Sequence, residues 1–100
     1  MPKKKKPDFS SLQICTVLKP KKNPIVQILE IGNNKYILLL PFEGDIEIYT
    51  KKLEYQFSIP QTIHDEKISK VTELKNRFLI TNSEDYTANI LQMDYPNKKY

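Results

Sequence analysis

The chain has 100 residues, of which 39% are hydrophobic and 28% charged, with two glycines and a net charge of +4. This is one small domain's worth, able to bury about two thirds of its unfolded surface. It is too apolar for a wholly disordered chain and lacks the run of roughly 20 apolar residues that a spanning helix needs. Cys15 and His64 are the only residues of their kinds, which excludes an internal disulfide and a zinc site built from Cys and His of this chain. The charge is unevenly placed. Residues 1–22 hold seven lysines against Asp8, whereas residues 23–100 hold nine basic and eleven acidic groups. Positive charge therefore belongs to the N-terminal segment, and the remainder has no general bias toward nucleic acid.

Residues 1–10 read as a flexible basic tail, because Pro2-Lys3-Lys4-Lys5-Lys6-Pro7 cannot bury enough surface to order itself. No apolar run directly follows the lysines, so a secretory signal is not expected and the location implied is cytoplasmic or nuclear. Short apolar runs then follow: Leu12–Leu18, Ile25–Ile31, Tyr36–Phe42, Ile46–Tyr49, Tyr55–Ile59, Ile68–Leu74, Phe78–Thr81 and Thr87–Met93. They are rich in Ile, Val, Tyr and Phe, and turn-forming residues such as Gly32-Asn33-Asn34, Glu43-Gly44-Asp45 and Asn82-Ser83-Glu84-Asp85 separate them. That cadence predicts an antiparallel all-β chain. In Asp45-Ile46-Glu47-Ile48-Tyr49 the alternation puts apolar side chains on one face and acids on the other. Tyr36–Leu40 does not alternate, which suits a strand covered on both faces, and burial is expected for Ile37, Leu39, Ile48 and Val71. Lys67–Lys75 also fits a short helix, since Ile68, Val71 and Leu74 recur every three residues.

An internal repeat favours the strand. Shifting the sequence by 42 residues brings Lys35-Tyr36-Ile37-Leu38-Leu39 over Arg77-Phe78-Leu79-Ile80-Thr81. The same shift aligns Val26 with Ile68, Leu29 with Val71, Asn34 with Asn76, Glu43 with Asp85 and Ile48 with Ile90. A period near 42 with four strands per unit matches a β-propeller blade.

The second unit carries His64 ahead of the Ile68–Leu74 run, Thr81 in the next run, Asp85 in the turn after it and Leu91 six residues on. This resembles a WD-repeat blade. The resemblance implies that His64, Thr81 and Asp85 form three members of the family's structural hydrogen-bond network, with Leu91 where tryptophan is usual. The first unit departs further, with Leu39 in place of the hydroxyl, Glu43 for the Asp, Tyr49 for the tryptophan and no histidine. The expected architecture is all-β: a tail at 1–10, then 11–100 as two WD-like antiparallel four-stranded propeller-type blades at about 25–58 and 64–100, with an outer strand at 12–18. Two blades do not close a ring, and the fourth strand of the second blade is expected to begin where Tyr95–Tyr100 ends the sequence.

Other chemistries fit less well. A catalytic Thr–His–Asp set lacks a nucleophile elbow or Gly-rich stretch beside Thr81, and no catalytic residue is assigned. Glu43, Asp45 and Glu47 could gather a divalent cation, but alternation puts only Asp45 and Glu47 on one strand face with no third ligand, short of what calcium requires, and neither metal nor cofactor is expected. Cys15, between Ile14 and Thr16, reads as a small buried hydrophobe. Lys3, Lys4, Lys5 and Lys6 resemble a minimal nuclear-import signal or a phosphate-contacting tail, without the aromatics or arginine of specific readout. The function expected is a non-enzymatic interaction or scaffold module with protein partners, further blades or copies of itself. The alternative is a small basic-tailed β domain docking on nucleic acid or a ribonucleoprotein through residues 1–22.

Overall fold

Alternating and continuous apolar runs become seven strands in the computed structural model, which describes residues 24–100. These are β1 (Ile25–Ile31), β2 (Tyr36–Pro41), β3 (Ile46–Thr50), β4 (Tyr55–Ile59), β5 (Ile68–Leu74), β6 (Phe78–Ser83) and β7 (Ala88–Gln92). The basic tail, Cys15 and the Leu12–Leu18 run lie outside the described residues. Lys67–Lys75 is strand rather than helix, because pairing with β6 takes its backbone from Ile68 to Leu74. All pairings are antiparallel between neighbours in sequence, giving one sheet in the order β1-β2-β3-β4 and a second in the order β5-β6-β7.

Hairpin chemistry sets these connections. In the β1–β2 turn Asn33 and Asn34 hold φ of 58° and 62°, and in the β5–β6 turn Lys75 and Asn76 hold 54° and 55°. Each turn is closed by a hydrogen bond, Lys35 N to Gly32 O and Arg77 N to Leu74 O, both 3.2 Å. Two left-handed central residues match the right-handed twist of the flanking strands, and asparagine tolerates that conformation better than most side chains. The two hairpins are 42 positions apart, as are the starts of β2 and β6 and of β3 and β7.

The two sheets bury one face each against the other. Ile31, Leu38, Leu40, Ile46, Ile48, Phe57 and Ile59 of the first meet Ile68, Val71 and Leu79 of the second, and Met93 and Tyr95 complete the cluster from the segment after β7. Leu39 is also fully buried but points to the opposite face, so the unbroken run of β2 is covered on both sides from Leu38 to Pro41. Ile37, expected to be buried, is only half-buried. It sits one residue from the hairpin end, between Glu30 and Tyr49, where the sheet face opens.

Polar contacts fix how the sheets meet. The Gln27 amide donates to Val71 O and accepts from Val71 N, both at 2.9 Å, so a β1 side chain occupies the edge of β5 that β6 leaves unpaired. Glu73 Oε2 accepts from Gly32 N at 2.7 Å and from Tyr95 Oη at 2.8 Å, and the Tyr95 ring stacks on Tyr36 with centroids 4.9 Å apart. Burial, reinforced by the Glu73 carboxylate, pushes the Tyr95 hydroxyl far above the ordinary tyrosine range. Gly32 is required at this junction. Its φ is 62°, and a Cβ there would lie 2.9 Å from the Tyr36 ring.

Gln27→Ala leaves both polar groups of Val71 without their partner. It is expected to cost about 1–3 kcal/mol and to speed hydrogen exchange at the Val71 amide more than at other β5 amides. Equal exchange rates in the variant and the parent would show that the amide clamp does not protect this edge.

Candidate functional site

The residues singled out in the second unit converge at the end of the sheets where β4 passes into β5. After Ile59, Pro60 leads into a single 3-10 turn, Gln61–Ile63, closed by His64 N donating to Gln61 O at 3.1 Å. His64 itself is extended, and its side chain turns inward between β6 and the β6–β7 turn. Its Nε2 lies 2.7 Å from Thr81 Oγ1, and its Nδ1 lies 3.2 Å from Asp85 Oδ2 and 3.0 Å from Thr87 Oγ1. The structure thus brings His64, Thr81 and Asp85 together.

The partners dictate the proton positions. A carboxylate only accepts, so Nδ1 carries the proton facing Asp85, and Nε2 accepts from the Thr81 hydroxyl. The Thr87 hydroxyl and the Thr87 N–H both donate to Asp85 Oδ1, the latter at 2.8 Å. Asp65 N donates to Asp85 Oδ2 at 3.0 Å. Asp85 N in turn donates to Ser83 Oγ at 3.1 Å, and Tyr86 closes the turn with φ of 68°. The β4–β5 connection is thereby pinned to β6 and to the β6–β7 turn that follows it.

Sequence reading missed Thr87, whose hydroxyl and N–H both donate to Asp85 Oδ1. The signal was present as Asp85-Tyr86-Thr87, because an aspartate commonly bonds backbone and hydroxyl groups two residues on. Asn89 was missed as well. Its side-chain amide donates to Ile63 O at 2.9 Å and ties β7 to the 3-10 turn. Leu91 packs against the core and offers no polar group to extend the chain of bonds.

This geometry does not suit nucleophilic catalysis. Thr81 has no exposed surface and His64 only 5%, so neither can meet a substrate. The acids considered for a cation are engaged separately: Asp45 Oδ1 accepts from Gln61 N at 3.0 Å, Glu47 accepts from Tyr49 Oη at 3.1 Å, and Glu43 lies 3.7 Å from the Lys67 ammonium. Lys67 also sits 3.8 Å above the Phe42 ring. Lys3, Lys4, Lys5 and Lys6 lie outside the described residues.

No protein-family model, curated protein or solved structure matches the chain. No helix among the described residues is long and apolar enough to cross a membrane.

Thr81→Val keeps the volume of the buried side chain but strands His64 Nε2. It is expected to lower unfolding stability by about 1–3 kcal/mol, read by denaturant titration, whereas His64 and Thr81 changed together should cost less than the sum of the single changes.

The Thr87 hydroxyl, followed by the N–H groups of Thr87 and Asp65 and the His64 ring, holds the Asp85 carboxyl well below its ordinary value of 3.8. The folded state therefore favours the ionised form. Its contribution is complete above the ordinary value and is lost as pH falls below it. Melting temperatures of the parent and of Asp85→Asn should accordingly converge as pH is lowered from neutrality toward the acid limit. A constant gap between the two curves at every pH would show that Asp85 does not stabilise the fold through its charge.

Proposed function

We propose that the protein is a non-enzymatic interaction module, two WD-type blades forming a piece or subunit of a larger β-propeller in the cytoplasm or nucleus. The observation that carries this reading is the bonded set His64–Thr81–Asp85. It joins the connection before β5, the second strand of the unit and the turn before β7, the positions at which the resemblance placed a WD network. The offset of 42 residues between matching strands and hairpins supports it. A buried bonded histidine of this kind holds a loop against a sheet, and its work is structural.

The unit count explains why a partner is needed. Blades bury their faces against neighbours, so two of them leave outer surfaces uncovered. Val26 and Ile28 of β1 are 49% and 57% exposed, and Ile90 of β7 is 68% exposed. β7 is the terminal strand of a three-stranded sheet and contains no charge or proline to discourage pairing. Further blades, from another chain or from a second copy, would cover such surfaces.

Sedimentation of the full chain is expected to give a mass that rises with concentration, with binding of a hydrophobic dye falling in step as the faces become covered. A monomer at every concentration that binds no dye would count against the propeller reading, because the two sheets would then close a sufficient core unaided.

A further inference from the structure

We infer that the hairpin end of the two sheets, centred on Lys75, Arg77 and Tyr100, binds single-stranded nucleic acid. The inference is independent of the propeller reading, and it places the contact on the folded body rather than on residues 1–22.

Antiparallel topology sorts the charged residues between the two ends of the sheets. The end formed by the β2–β3 turn, the β4–β5 connection and the β6–β7 turn carries Glu43, Asp45, Asp65, Glu66, Glu84 and Asp85 against Lys67. At the opposite end the β1–β2 turn contributes Lys35, the β3–β4 turn Lys51 and Lys52, the β5–β6 turn Lys75 and Arg77, and the segment after β7 Lys98 and Lys99. Glu54, Asp94 and Glu73 oppose them there, and the Glu73 carboxylate is bonded to Gly32 N and the Tyr95 hydroxyl. A chain whose residues 23–100 look electrically unremarkable is thus strongly polarised. The ends are separated by strands of five to seven residues, about 20 Å, whereas the screening length at physiological salt is about 8 Å. The acidic end therefore does little to weaken the field of the basic one.

The two sets of charges are used differently. At the acidic end Asp45 and Asp85 accept backbone N–H groups and hold turns in place, and Glu43 faces Lys67. At the basic end all seven cationic side chains are exposed, and none forms an ion pair with a described residue. Folding does not require their charge, which leaves it free for an anionic partner.

The surroundings favour nucleic acid over an acidic polypeptide. Arg77, Gln92, Met93, Asp94, Lys99 and Tyr100 line one shallow cleft at this end. The Arg77 guanidinium lies over the Phe78 ring, 5.7 Å from its centroid, and Tyr100 is 48% exposed. Cations beside an exposed aromatic ring and a flat guanidinium match the stacking-plus-phosphate mode by which single strands are held without sequence readout. The Gln92 amide adds a group able to bond a base edge.

The test uses the full chain and a fluorescein-labelled 12-nucleotide oligo(U), with anisotropy measured across a salt series. Reversing Lys75, Arg77 and Lys99 to glutamate is expected to weaken binding at least about tenfold at low salt. It should also flatten the log–log salt slope by about 0.7 for each phosphate contact removed. Tyr100→Ala is expected to weaken binding about fivefold or more with an unchanged slope, the mark of a lost stacking contact. Lys3, Lys4, Lys5 and Lys6 changed together to glutamine should leave the Tyr100 effect intact. The inference is overturned if the oligonucleotide does not bind, if the glutamate reversals leave binding unchanged while the tail variant abolishes it, or if polyglutamate competes as well as unlabelled oligo(U).

Discussion

Val71 is where the two sheets become one object. Its side chain is buried in the shared core, and both of its free backbone groups are taken by the amide of Gln27. The face of each sheet that meets the other is apolar, and an apolar sheet face must find another to be stable. The clamp at Val71 sets the relative height of β1 and β5, and the rest follows from that height. Gly32 comes level with Glu73, and Tyr95 reaches the same carboxylate and stacks on Tyr36. At the far end β5 starts beside Phe42 and Glu43, and the connection carrying His64 is held over β6.

Contacts within a unit were the most legible in the sequence. The limits of β1, β4 and β5 coincide with apolar runs read directly from residue type, because each run is bounded by turn residues whose backbone preferences are local. His64, Thr81 and Asp85 were legible by another route. The set came from the resemblance of this unit to a WD-repeat blade, and all three residues lie within that one unit. The strand rather than helix at Ile68–Leu74 needed the internal repeat, since the three-residue spacing of Ile68, Val71 and Leu74 fits a helix equally well.

Contacts between units were not legible. Gln27 looks like one polar residue in an alternating strand, and nothing near it in sequence announces a partner 44 positions away. Glu73 looks like a solvated acid, yet one of its oxygens binds groups from the β1–β2 turn and from the segment after β7. Tyr95 was read as the approach to a fourth strand and is instead a core residue. Its ring is buried between the sheets, and Asp94 pairs with Lys99 in a tight turn. Such contacts depend on how the layers stack, and periodicity along the chain does not encode stacking. Ile37 fails in the same way, for its exposure depends on where the sheet face ends and not on its own alternation.

The sorting of charge between the two ends connects these levels. A carboxylate accepts backbone N–H groups, so acids have work to do in turns with unsatisfied donors, as Asp45 and Asp85 do. Ammonium and guanidinium groups only donate, and the hairpins at the other end close with left-handed residues (Asn33, Asn34, Leu53, Lys75 and Asn76) and backbone bonds that involve no cationic group. Turn chemistry alone thus accounts for Asp45 and Asp85, and it gives no reason for seven basic residues to gather at the opposite end. An arrangement that folding does not demand, and that like-charge repulsion opposes, is what the proposed contact with a single-stranded nucleic acid would account for.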